Sequence, residues 1–501
     1  MTQVLKPFIG GSFIESATEK FTDVYDPSKG SVIAKSPCCT KAEVESAIAA
    51  AQKAYPAWRD TPVKRRVDIM YKLRALIAEH FDELTLLLAT ENGKTWSEAA
   101  GDVAKAQEMT ELACSAPSLL MGESLMNTST GYDTTLYREP LGVCAGISPW
   151  NFPAMIPMGW MAPLAIVCGN SFVLKPASAT PMTSLRMAAL YKEAGVPDGV
   201  FNVVPCSRNE AEILLTHPDV KAVTFVGSTS VGKHVYATAA AHGKRVQALC
   251  EAKNHALVLR DAPLQRTAAG IINSSFGCAG ERCMALPVIV VEEEIADALI
   301  AEIVSQVSNQ KIGPAYDQSS GLGPVVSAQH KEFVTGWIQK GIEEGAAVVL
   351  DGRNVSVAGY ENGFYIGHTI LDHVTEDMRI GNEEVFGPVL CVKRVKDFEE
   401  GLSLMNRNPF ANGSVIFTQS GHYAREFTRR TDGGMVGVNV GIPVPIGIFP
   451  FSGHKNSFFG DLHCHGKDAF RFYTESKTVT TRWFDEEEKK STSVNTWDGS
   501  L

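Results

Sequence analysis

The sequence predicts an α/β fold: a doubly wound parallel sheet with a second α/β unit beside it. Three observations carry this prediction. Short β-rich runs alternate with helical segments between about residues 171 and 262, and a second alternation begins after Cys283. Strand–helix–strand order at that spacing implies parallel strands covered by helices. The length, 501 residues, exceeds a single ordinary core, so two or three domains are expected.

From Ala42 to about Asn92 the chain reads as amphipathic helices, rich in Ala, Leu, Lys and Glu at helical spacing. After Pro149 the texture changes. SFVLKP (171–176), VFNVVP (200–205), AVTFVG (222–227), RVQALCEA (245–252) and HALVLRDA (255–262) read as strands. Helices are expected after Pro181, around Glu210–Leu215, and from Ser230. In the second unit LPVIVVEEE (286–294), AAVVLDG (346–352), GSVIFTQ (413–419) and GMVGVNV (434–440) read as strands, with a helix over 295–307. ESKTVTTRW (475–483) reads as a β-ribbon outside either core, in need of a partner surface. The polar tail 486–501 is expected to be poorly ordered. No internal repeat is evident.

Composition limits the function. With 45% hydrophobic and 20% charged residues the chain is an ordinary globular one. A formal charge of −10 argues against a nucleic-acid surface. The first residues, MTQVLKPFI, carry no basic stretch followed by a long apolar run, and Met158–Cys168 is too short to span a bilayer. No membrane partner and a cytoplasmic location are therefore expected. The 11 cysteines form no framework pattern and are read as reduced thiols, so a Cys278–Cys283 disulfide is not expected.

Three stretches can carry chemistry. Gly227-Ser228-Thr229-Ser230-Val231-Gly232 follows a strand and opens a helix, where backbone N–H groups can meet a phosphate. It matches neither common phosphate-loop pattern, so an ordinary βα turn is an equal reading. In SPWNFPAM (148–155), Asn151 can donate to a developing oxyanion or simply satisfy its own loop. Cys283, beside the cation Arg282, is a candidate nucleophile, the thiolate being favoured by the positive charge; Cys278 fits a buried, inert thiol. His463-Cys464-His465 lacks completing ligands at credible spacing, and no metal is expected.

Taken in order, PWNFP, LKP (174–176), FVGS (225–228), the cysteine loop, EEVFGPV (383–389) and NPFANGSVIFT (408–418) resemble the aldehyde dehydrogenase superfamily over about residues 5–485. GERCMA (280–285), AKNHALVL (252–259), VNVGIPVP (438–445) and FSGHKNSFFGDLHCHGKD (451–468) resemble its CoA-acylating methylmalonate-semialdehyde (malonate-semialdehyde) branch. The resemblance implies that Cys283 is the nucleophile and Asn151 an oxyanion donor. It implies cofactor contacts at Lys175, Ser178, Phe152, Gly227, Ser228, Glu384 and Phe386, with NAD as cofactor and coenzyme A as co-substrate. It also implies a Rossmann-type cofactor domain over 1–117 and 138–252, a catalytic domain over 253–450, and an oligomerisation ribbon over 118–137 and 465–485. The implied partners are a small acidic aldehyde and other copies of the chain, as a homotetramer or homodimer.

Four positions depart from the family pattern. Leu249 stands where hydrolysing relatives carry the carboxylate that activates water, and a leucine cannot act as a base. Glu251 replaces a usual Gly; in an extended segment it shares a face with residue 249, which makes it a possible base. That supports an alternative, a hydrolytic NAD(P)-dependent enzyme acting on another small acidic aldehyde. Arg282 matches one of two arginines that grip the substrate carboxylate, whereas the other aligns with Lys105, which keeps the charge but not the bidentate fork. Ser178 stands where a carboxylate often repels a 2′-phosphate, so NADP is expected to be tolerated.

Overall fold

The computed structural model describes residues 2–484; the tail at 486–501 lies outside the described residues, as does the last residue of the expected ribbon segment, Asp485. The expected N-terminal helices form as Lys41–Arg59, Val63–Glu79 and Phe81–Asn92, followed by Trp96–Cys114. Thr40 starts the first: its hydroxyl accepts the Glu43 N–H at 3.3 Å, while Glu43 returns a carboxylate to the Thr40 N–H at 2.7 Å. In the second, Val67, Met70, Leu73 and Ile77 recur every three or four residues and bury one face.

These helices cover a sheet whose middle five strands are parallel. Its order is Phe458–Gly460, Arg245–Leu249, Val220–Val226, Val143–Ile147, Ser171–Lys175, Phe201–Val203, Phe8–Ile9, Ser12–Phe13. From Val143–Ile147 the chain winds outward through Ser171–Lys175 to Phe201–Val203. It then returns to the other side for Val220–Val226 and Arg245–Leu249. The winding direction thus reverses between Val143–Ile147 and Val220–Val226, and a crevice opens there at the carboxyl ends of the strands.

A second sheet runs Ala347–Leu350, Thr369–Asp372, Val389–Val395, Val288–Glu292, His255–Val258, Gly413–Phe417, Met435–Val438. Only Ala347–Leu350 is antiparallel. Its core strands are continuous runs of Val, Ile and Leu because helices cover both faces. The chain passes from first sheet to second between Leu249 and His255, although Phe458–Gly460 later returns to edge the first.

The ribbon strand Thr474–Arg482 is not alone. It pairs antiparallel with Tyr132–Pro140, which pairs with Glu123–Ser129. This three-stranded sheet stands apart from both cores and exposes Leu125, Met126, Tyr137 and Val479. A π-helix over Ile156–Met161, overlapping the start of the apolar run 158–168, had no sequence signal. No described helix is long and apolar enough to cross a membrane.

Candidate active site

The cysteine loop hangs between the two sheets. Helix Leu264–Phe276 ends, and Cys278, Ala279 and Gly280 follow with φ of 53°, 52° and 73°. Two consecutive non-glycine residues in the left-handed region store strain, a feature that concentrates at functional sites. A side chain at position 280 would put its Cβ 2.0 Å from the Gly387 carbonyl oxygen, so only glycine fits.

Hydrogen bonds from several elements hold this conformation. Glu98 accepts the Cys278 N–H at 2.5 Å. Asn254 donates to the carbonyls of Cys283 at 2.9 Å and Ala285 at 2.8 Å, and accepts the Gly413 N–H at 2.8 Å. Asn412 adds a bond to the Cys283 carbonyl at 3.2 Å. Asn151, buried on the loop after Val143–Ile147, donates to the Glu281 carbonyl at 3.1 Å, which brings it to the same loop from the first sheet. One of its two amide hydrogens remains for another acceptor.

The Cys283 thiol is half-buried and does not ionise easily. Burial pushes it up to about 12; Glu384 adds to the rise, and Arg282 and Lys94 oppose it without prevailing. Arg282 thus favours the thiolate, as expected, but by less than burial disfavours it. The Arg282 guanidinium folds back onto its own loop, 3.1 Å from Cys278 Sγ and 3.4 Å from the Asn273 carbonyl oxygen. All 11 cysteines are free thiols.

The crevice at the reversal point of the first sheet holds a cavity of about 440 Å³, large enough for much of a nucleotide. Lys175, Ser178, Gly227 and Ser228 all line it, with Trp150, Arg208 and His234. Burial lowers the Lys175 pKa. Phe386, in the segment before Val389–Val395, is not on the cavity wall; its ring meets the wall residue Trp150 edge-on at 5.4 Å. Glu384 lies in the same segment and accepts the Ala252 N–H at 3.0 Å; burial, then the charge of Glu251, raises it to about 8.

Three further expected site residues have partners of their own. Phe152 does not line the cavity; its ring is buried beneath the Lys94 ammonium, 3.4 Å from the centroid. Lys105 is already satisfied, by both Glu108 oxygens at 2.8 and 2.9 Å and by the Pro445 carbonyl at 3.2 Å. An incoming carboxylate has to compete with the one Lys105 holds. Glu251 lies past the strand, whose last paired residue is Leu249, so the alternation that put 249 and 251 on one face no longer applies. Its carboxylate accepts the Thr229 N–H at 3.0 Å instead.

The HCH run disperses. His463 bonds the Gly453 carbonyl, Cys464 donates to Gln247, and His465 packs against Trp160. Among the described residues no group of three or more His, Cys, Asp or Glu could hold a metal.

A strained cysteine loop tied through Asn151 to a sheet with a crevice at its winding reversal is the architecture of an aldehyde-oxidising dehydrogenase, and the chain belongs to the aldehyde dehydrogenase family, which it matches over residues 13–479. Within the family it is 49% identical over 481 residues to malonate-semialdehyde dehydrogenase 2 of Geobacillus kaustophilus, covering 96% of this chain and 99% of that one. It is 48% identical over 481 residues, with the same coverage, to malonate-semialdehyde dehydrogenase 1 of Geobacillus thermodenitrificans. Its fold matches methylmalonate-semialdehyde dehydrogenase of Oceanimonas doudoroffii with a TM-score of 0.95 at 43% identity, over 98% of this chain and 100% of that one. A Sinorhizobium meliloti 1021 protein, assigned to the same activity and solved with NAD, matches with a TM-score of 0.95 at 42% identity, over 97% and 99% of the two chains.

Proposed function

We propose that the chain oxidises malonate or methylmalonate semialdehyde with NAD and passes the acyl group to coenzyme A, giving acetyl-CoA or propionyl-CoA and CO₂. The relatives and their near-complete coverage support the substrate class. The observation that carries the choice of acceptor is Leu249, buried where a hydrolytic relative has its base, together with the diversion of the Glu251 carboxylate to the Thr229 N–H. Leu249 has no group to activate water and the Glu251 carboxylate is turned to the helix start, whereas a thiol, once ionised, needs no such help.

In this reading Cys283 Sγ, as thiolate, bonds to the aldehyde carbon. The oxyanion is held by the free hydrogen of the Asn151 amide and by the Cys283 backbone N–H. The residues of the crevice suit a dinucleotide: a buried lysine, a serine at a helix start, and strand ends at the winding reversal. Lys175 and Glu384 would hold its ribose hydroxyls and Ser228 its pyrophosphate; bound NAD supplies the hydride acceptor. Loss of hydride leaves a thioester on Cys283, and attack by the CoA thiolate breaks the Cys283 S–C bond. The carboxylate lies β to the thioester carbonyl, so CO₂ departs to leave an enolate that the same oxyanion donors stabilise, and a proton taken up from water at its carbon completes the acetyl or propionyl group. Arg282, on the cysteine loop, is the proposed grip on that carboxylate. Ser178, which brings no negative charge, leaves NADP tolerated.

The exposed ribbon Glu123–Ser129, Tyr132–Pro140, Thr474–Arg482 supports assembly into a homodimer or homotetramer, in a cytoplasmic setting. The test of function is NADH formation from each semialdehyde with and without CoA. Turnover that requires CoA is expected; equal steady-state rates without it would return the hydrolytic alternative.

A further inference from the structure

Glu251, a departure from the family pattern, bonds the residue that follows Ser228 of the cavity wall, and its placement has a consequence beyond the loss of a base. Its Oε2 accepts the Thr229 N–H at 3.0 Å, and its own N–H donates to Thr229 Oγ1 at 3.3 Å. Thr229 is the first residue of helix Thr229–Ala241, directly after Ser228 on the cavity wall. That helix has no acidic residue in its first turn and no cap from the Ser228 side chain, so the negative charge at its N-terminus is supplied by Glu251. The following residue, Ala252, gives its N–H to Glu384 at 3.0 Å. Two carboxylates thus bond adjacent parts of the same junction, and each feels the other: the charge of Glu251 contributes to holding the Glu384 proton more tightly.

A helix N-terminus offers a limited set of free N–H groups and a partial positive charge, which is what makes it attractive to phosphate. Here an anion of the chain's own already occupies part of it. An incoming pyrophosphate must either displace the carboxylate from Thr229 or bind beside it; both cost affinity. We infer that Glu251 is a specificity-determining residue of the dinucleotide site, an anionic occupant of the helix start that weakens binding of the phosphates and hastens release of the reduced cofactor. The inference rests on the reading of the crevice as the NAD site. It assigns to Glu251 an effect on cofactor affinity, in place of one on water activation.

The test is the Kd for NAD of the full-length chain, by quenching of intrinsic fluorescence, for the parent, Glu251→Gln and Glu251→Gly, at low and high salt. Glu251→Gln keeps an oxygen for the Thr229 N–H and removes only the charge. Its Kd is expected to fall about tenfold, as the removal of one nearby like charge at partly screened distance implies, and the gap from the parent should narrow as salt screens the repulsion. Glu251→Gly should tighten binding in the same direction. An unchanged Kd in Glu251→Gln, even if Glu251→Gly is less stable, would show a purely structural cap and overturn the inference. A weaker Kd in Glu251→Gln would show that Glu251 helps to hold the cofactor, and would overturn it equally. Absence of NAD binding in every form would instead overturn the cofactor reading itself.

Discussion

Cys283 meets the solvent with a reluctant thiol. Burial sets its pKa near 12 in the cofactor-free protein, so the thiolate is a small fraction at neutral pH and grows with each unit. Alkylation of Cys283 by iodoacetamide, followed at its own peptide by mass spectrometry, should therefore rise about tenfold per pH unit between pH 7 and 9. A flat profile would mean a thiolate already formed, as the sequence alone suggested from Arg282. Asn151 gives a second test: Asn151→Ala should lower kcat by roughly 10²–10³ while substrate KM changes little, the signature of an interaction made mainly with the oxyanion. Equal kcat in the variant would remove Asn151 from that role. At this scale the sequence was informative about identity and poor about direction. Cys283, Asn151, Lys175 and Ser228 were legible because their motifs are short and local. The partners that Phe152, Lys105 and Glu251 take were not legible, because each lies on another element: Lys94, Pro445 and Thr229. Asn254 and Asn412, which clamp the cysteine loop, stood inside quoted motifs; a polar residue immediately before a buried strand was the signal.

The cysteine loop as an element depends on its backbone. Gly280 combines a φ of 73° with a neighbour 2.0 Å from where a Cβ would lie, and that neighbour is the Gly387 carbonyl of the segment carrying Glu384 and Phe386. Gly280→Ala is expected to cost roughly 3 kcal/mol of stability, from strain and overpacking together, and to displace Cys283 enough to lose most activity. A urea midpoint and an activity both matching the parent would contradict this account of the loop. Strands and helices with strong periodicity, such as Ser171–Lys175, Pro181–Ala194 and Glu293–Val307, were legible in the sequence. The short strands Phe8–Ile9 and Phe458–Gly460 were not, because two or three residues hold no period and each pairs with a strand about two hundred residues away.

For the whole molecule, two sheets share one task. The first presents its strand ends as a crevice, the second presents Cys283 on a strained loop, and Asn151 ties the loop to the first. The ribbon takes no part in either core, and its sheet, with Leu125, Met126 and Tyr137 in solvent, is the surface we propose for another copy. Sedimentation should show the parent as a dimer or tetramer, and the double change Leu125→Glu, Met126→Glu as a smaller species; a monomeric parent would refute the assembly. The central claim is that oxidation ends in a thioester on Cys283 that CoA, not water, removes. It is tested most directly by mixing enzyme, NAD and methylmalonate semialdehyde without CoA, and following NADH alongside the intact protein mass. The account predicts a burst of about one NADH per active site, an acyl adduct on Cys283 that persists, and its rapid discharge when CoA is added. Steady NADH production with no adduct, unaffected by CoA, would contradict it.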